Sequence, residues 1–73
     1  MTEKKTAIEV PAEVYEGLER VRSSGLTNML DRPAVIRLAR EAGDYEAASW
    51  VEENKTLYSR GIFAGFAAEA GAE

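Results

Sequence analysis

The chain has 73 residues and a formal net charge of −4, with 45% hydrophobic and 30% charged residues. Such a composition belongs to a folded domain rather than a disordered segment, and the length leaves room for one domain only. Cysteine and histidine are both absent, which excludes disulfides, thiolate metal sites and imidazole acid–base catalysis together.

The amino-terminal stretch MTEKK is polar, and residues 1–10 are expected to form a flexible or short extended arm. Within it TAIEV places Thr6, Ile8 and Val10 on one side at a spacing of two, a short strand signal. Pro11 ends that pattern and suits the first turn of a helix, with Glu13 near the positive end of the helix dipole. This first helix is expected to run to about Arg22 on a stripe of Val14, Leu18 and Val21, flanked by Tyr15. Gly17 inside it costs about 1 kcal/mol relative to alanine, and Gly25 can adopt the left-handed stop.

The segment SGLTNMLDRP follows, residues 24–33. A loop tip ordinarily stays polar, yet this one carries Met29 and Leu30 after Thr27 and Asn28. The expectation is a structural turn built from Gly25, Thr27, Asn28, Met29 and Asp31. Its polar side chains would bond neighbouring backbone groups, and Met29 and Leu30 would turn inward as a plug. Asp31 is the expected N-cap of a second helix with Pro33 in its first turn. That helix carries Val35, Leu38, Ala39 and Ala42 at intervals of three and four, with Ile36 beside them, and places Arg37 and Arg40 on its outer face as a candidate basic patch.

Gly43 closes the second helix and Asp44 caps a third after a one-residue link. The third shows a sustained stripe of Ala47, Trp50, Val51, Asn54, Leu57, Tyr58, Gly61 and Ile62. Residues 67–73, rich in alanine and glutamate, are expected to fray. The fold expected is therefore all-α: a compact three-helix domain over residues 11–66 with a short extended N-terminal segment. A core this small rarely contributes more than ~3–5 kcal/mol of net stability. Self-association or a partner is expected from size alone.

The residues offer little for catalysis. Ser23, Ser24, Ser49 and Ser59 have no histidine to activate them, and no lysine spacing points to a serine–lysine arrangement. Glu52 and Glu53 are adjacent and diverge on a helix. Neither a G-x-x-x-x-G-K-[ST] loop nor a G-x-G-x-x-G turn is present. The acids are scattered along exposed faces, so no metal and no other cofactor is expected, and the protein is not expected to be an enzyme. No apolar run approaches the ~20 residues of a bilayer span, and the N-terminus lacks a signal-peptide core. A cytoplasmic protein without membrane contact is the expectation.

An acidic chain repels phosphate backbones unless its basic groups are gathered on one face. LAREAGDYEAASWV has Leu38, Ala39 and Gly43 at helix-turn-helix spacing, but Asp44, Ser49 and Glu52 fall where that motif needs apolar contacts. A ribbon-helix-helix dimer fits the order of elements better: TAIEV as the paired strand, then two helices, with Lys4, Thr6 and Glu9 as its readers. The aromatic residues Trp50 and Tyr58 read as core. Ile62, Phe63 and Phe66, around Gly61 and Gly65, form an apolar end that a helical scaffold need not cover, and they are the candidate partner-binding residues.

From Tyr15 to Phe66 the chain resembles a small uncharacterised domain family carried by phages, prophages and some archaeal viruses. The residues that carry the resemblance are G-x-T-N-M-x-D (Gly25, Thr27, Asn28, Met29, Asp31), Val35, Leu38, Ala39 and Gly43, the W-V-E-E-N run from Trp50 to Asn54, Tyr58, Ile62 and Gly65. It covers roughly two-thirds of the chain and brings no assigned activity. It implies a small accessory protein of a mobile genetic element. The function expected is thus a non-catalytic viral or prophage-type accessory protein in the host-cell cytoplasm. It would act on a host or viral protein or as a homo-oligomer. A small ribbon-helix-helix-like DNA-binding regulator is the alternative, with nucleic acid the less favoured partner.

Overall fold

Proline at position 11 divides an extended start from a helix, and the computed structural model, which describes residues 7–69, turns there. The elements run β1 (Ile8–Val10), α1 (Ala12–Ser24), α2 (Arg32–Glu41), α3 (Tyr45–Glu53), α4 (Lys55–Ala64) and β2 (Phe66–Ala68). In β1 the alternation holds: Val10 is fully buried, Ile8 packs on the core and Glu9 is exposed. Thr6 and Lys4 lie outside the described residues.

The fold is mostly α, with two differences from the expected three-helix domain. The first is a break at Asn54, which divides the expected third helix into α3 and α4. Asn54 leaves helical geometry at φ −124° and ψ 56°. Its backbone N–H and side-chain amide both donate to the Trp50 carbonyl, at 2.9 and 3.0 Å. An asparagine amide competes in this way for the carbonyls of the preceding turn. Its own carbonyl then accepts from Tyr58 N–H at 2.8 Å and starts α4.

The second difference lies in the tail. Ala67 and Ala68, expected to fray, belong to β2, which pairs in parallel with β1 in the register Ile8↔Phe66, Glu9↔Ala67 and Val10↔Ala68. Gly65, at φ 96°, turns the chain back towards β1, and its carbonyl accepts from Ile8 N–H at 2.9 Å. Parallel strands need a long crossover, and here all four helices supply it.

The core consists of Val10, Val14, Leu18, Val21, Val35, Ala39, Ala47, Ala48, Val51 and Tyr58. Apart from Leu18 and Tyr58 these are valines and alanines, whose small side chains let helices approach closely. The stripe of α1 packs as its spacing predicts. In α2, Val35 and Ala39 are buried and Ile36 and Leu38 half-buried, but Ala42 is exposed as the C-cap. The link to α3 is a Schellman turn. Gly43, at φ 86°, donates to the Arg40 carbonyl at 3.1 Å, and Asp44 N–H to the Ala39 carbonyl at 2.8 Å.

Gly17 is the contact point of α1 with the start of α3. A Cβ there would lie 2.6 Å from Ala47 Cβ and 3.1 Å from Asp44 Cβ. Helix propensity alone would make Gly17→Ala stabilising by about 1 kcal/mol. Overpacking of backbone-anchored atoms costs about 1–3 kcal/mol, so the expected result is a net loss. A thermal or urea midpoint at or above that of the parent would show that the two helices are not held at this spacing.

Candidate functional site

The turn between α1 and α2 ties distant parts of the chain together. Gly25 holds φ 68° and ends α1. The Asn28 side-chain carbonyl accepts from Leu30 N–H at 2.8 Å, and its backbone carbonyl accepts from Asp31 N–H at 2.9 Å. The Asp31 carboxylate accepts from Ala34 N–H at 3.3 Å and caps α2. Thr27 Oγ1 makes only a long 3.5 Å contact to the Asn28 carbonyl.

Met29 and Leu30 part company. Met29 packs against the core, whereas Leu30 is 63% exposed. The inward plug expected of both is therefore formed by Met29 alone. The turn that places Met29 inward also frees its carbonyl, which accepts from the Tyr58 hydroxyl at 2.5 Å. Burial pushes the Tyr58 phenol up to about 12, partly offset by the nearby Arg32 charge. Arg32 in turn donates to the Val51 carbonyl at 3.1 Å. The turn, α2, α3 and α4 are so joined by side chains reaching backbone acceptors.

Arg20, Arg22, Arg37 and Arg40 each face a carboxylate. Arg37 lies 3.5 Å from Glu41, and Arg40 lies 3.0 Å from Glu52. The candidate basic patch is thus two cations, each facing a carboxylate, on a surface without excess positive charge. Asp44 stands at the N-cap position of α3 but does not cap it with its side chain. Its carboxylate instead accepts from Arg20 Nε at 3.0 Å and Nη2 at 2.6 Å, linking α3 to α1. The Asp44 side chain is only 11% exposed, against 58% for Arg20.

The hydrogen bond from Arg20 holds the Asp44 carboxyl below the usual carboxylate range. The unfolded chain therefore takes up the proton first as pH falls. The pair's stabilisation is complete above the unfolded value of about 4 and is lost as pH falls through the lower folded value. Asp44→Asn is expected to be less stable than the parent at neutral pH, with the gap closing in acid. Urea midpoints measured from about pH 7 down to about pH 2.5 check this. A gap of constant size would rule out the pair as its source.

The structure separates the three apolar candidates Ile62, Phe63 and Phe66. Phe66 turns inward, its ring edge-on to Trp50 at 5.9 Å and tilted against Tyr58 at 5.7 Å. It fills the space over Gly61 and is a packing residue, a correction to its place at the open apolar end. Ile62 is half-buried against the core. Phe63 is 79% exposed.

Phe63 stands as a ridge between two shallow grooves. One is walled by Leu30, Tyr58 and Ile62, with Arg32, Lys55 and Ser59 as its polar lining. The other is walled by Ile8, Leu57 and Ala64, with Glu9 and Arg60 at its rim. Of these residues the sequence points to Leu30 and Leu57 as inward-facing and to Glu9 as a strand residue, and it gives no signal for Arg60. An unbroken stripe predicts Leu57 inward, whereas in α4, beyond the break at Asn54, it is 38% exposed. The available signal was the polar Asn54 within that apolar stripe.

The strand on which the ribbon-helix-helix alternative depends has one edge occupied by β2 of the same chain. Ser49 and Glu52, where a helix-turn-helix needs core contacts, are exposed. Among the described residues, no three His, Cys, Asp or Glu side chains gather in a metal-holding group. No described helix is long and apolar enough to cross a membrane.

A family model described as a domain of unknown function, DUF5049, matches residues 11–66. The match covers most of the chain, which therefore belongs to that family. No curated protein and no solved structure matches it.

Proposed function

We propose that this member of the DUF5049 family is a non-catalytic accessory protein that works by binding another protein chain through the surface around Phe63. The observation that carries the reading is the 79% exposure of Phe63 between two grooves, one walled by Ile8, Leu57 and Ala64 and the other by Leu30 and Ile62 beside Arg32 and Lys55. A large aromatic ring left in water costs solubility and adds nothing to this fold, whereas aromatic anchors dominate the energetics of protein contacts. The described titratable groups support the same reading. The most buried, Tyr58, is used on a backbone carbonyl, and the least exposed carboxylate, Asp44, is used on Arg20.

The resemblance to proteins of phages, prophages and archaeal viruses extends the proposal. The protein would belong to a mobile genetic element and act in the cytoplasm of its host, on a host or viral protein or on itself. The test compares tagged parent and Phe63→Glu chains expressed in cells. The variant side chain sits at the surface of the single chain, so both are expected to give the same folded circular-dichroism spectrum. The parent should retain a protein partner, a second copy included, that the variant loses. Identical masses and identical partners for the two chains would overturn the reading.

A further inference from the structure

The face that carries Phe63 holds both halves of a contact. The ridge is the Phe63 ring, and beside it on the same face is a groove walled by Ile8, Leu57 and Ala64. At the rim of that groove stand Glu9 on β1 and Arg60 on α4, two exposed groups of opposite charge. Among the described residues, neither has an ion-pair partner, unlike Arg20, Arg37 and Arg40.

We infer that the partner seated on this face is a second copy of the chain, related by a two-fold axis. Each Phe63 enters the other copy's groove, and each Glu9 meets the other copy's Arg60. The inference rests on the interaction reading above and names its partner. A two-fold contact uses one patch on both copies, so the patch must complement itself in shape and in charge. A ridge beside a groove meets the first condition. Glu9 and Arg60, on the rim of the groove that takes the ring, meet the second, because the axis brings these unlike charges together twice, while Lys55 lies in the groove on the other side of Phe63.

Size argues in the same direction. The fully buried core is valines and alanines around one leucine and one tyrosine, and a chain of this length gains little from its own core. Burying Phe63, Leu57 and Ile8 against their counterparts extends that core across the axis. A foreign partner would have to supply a groove for Phe63 and a ridge for this groove independently. A second copy supplies both without further requirement.

The experiment is sedimentation velocity with native mass spectrometry on the purified full chain, over a concentration series. The expected species has twice the 8.0 kDa mass of one chain. Phe63→Glu should weaken association about a hundredfold, as for a central aromatic anchor. Glu9→Arg and Arg60→Glu alone should each weaken it about tenfold, by setting like charges against each other. The combined swap should restore it to within a few-fold of the parent. Circular dichroism melts check that each variant remains folded.

A parent chain that stays monomeric up to about millimolar concentration would overturn the inference. So would a combined swap no better than the single changes. If the purified chain is monomeric but Phe63→Glu still costs it a foreign protein in cells, the second-copy inference fails and the interaction reading stands. If the Phe63 change alters neither, both fail.

Discussion

Gly61→Ala is expected to lower stability by about 3 kcal/mol, at the upper end of overpacking costs. A Cβ at position 61 would overlap the Cε1 and Cζ atoms of Phe66. Trp50 lies edge-on to the ring and Tyr58 lies against it, so the ring can yield only towards the groove it lines with Leu18, Met29 and Ile62. Phe66 is also the first residue of β2, paired with Ile8. Displacing its ring therefore pulls at the sheet as well as the core. The cost should nearly vanish when Phe66→Ala is already present, because the clash partner has gone. A double-mutant cycle by urea denaturation measures that coupling, with an expected interaction of about 2–3 kcal/mol. Additive costs would mean that the glycine is needed for some reason other than the ring.

Tyr58→Ala should cost more, about 3–5 kcal/mol, as for other large aromatic truncations in a core. Tyr58 is the largest fully buried side chain, and it supports Phe66 on one side and the Met29 carbonyl at its tip. Tyr58→Phe isolates the hydroxyl. It leaves the packing and removes one hydrogen bond, an expected loss of about 1–2 kcal/mol with the carbonyl left unpaired.

The alkaline limb separates these contributions further. Burial pushes the Tyr58 phenol up to about 12 from an ordinary value near 10. The unfolded chain loses this proton first as pH rises. The contribution is therefore complete below the unfolded value and is lost as pH rises through the folded one. Tyr58→Phe should flatten the fall in stability above about pH 10. An unchanged alkaline limb would mean that this phenol is not the group responsible.

How far the sequence leads depends on whether an element is set locally or by distant chain. The second helix was readable because its signals are local: Asp31 as cap, Pro33 in the first turn, Val35 and Ala39 on one stripe and Gly43 at the stop. The strand β2 was not, because Phe-Ala-Ala has no alternating pattern and its pairing partner is the segment Ile8–Val10, more than fifty residues earlier. The break at Asn54 was masked by a hydrophobic period that continues through it. A side-chain amide bonded to the Trp50 carbonyl resets the helix without interrupting the spacing of apolar residues.

The same reset explains the mixed outcome at the apolar end. Phe63 and Phe66 are three residues apart and look equivalent on one helix. The chain leaves α4 at Gly65, so Phe66 falls on a strand facing inward while Phe63 remains on the outer face. Gly17, a weakness on helix propensity alone, proves to be where α1 meets the start of α3 without room for a Cβ. Leu30, expected inside, is turned out by the Asn28 turn that fixes Met29.

Another protein chain is proposed to cover the surface at Phe63. The most direct measurement is photo-crosslinking with Phe63 replaced by a benzophenone-bearing phenylalanine analogue, in cells and on purified protein. The exposed Glu41, on the far end of α2, serves as the control position. Discrete adducts are expected from position 63, at the mass of two chains for a second copy, and none above background from position 41. Equal and diffuse labelling from the two positions would contradict that proposal.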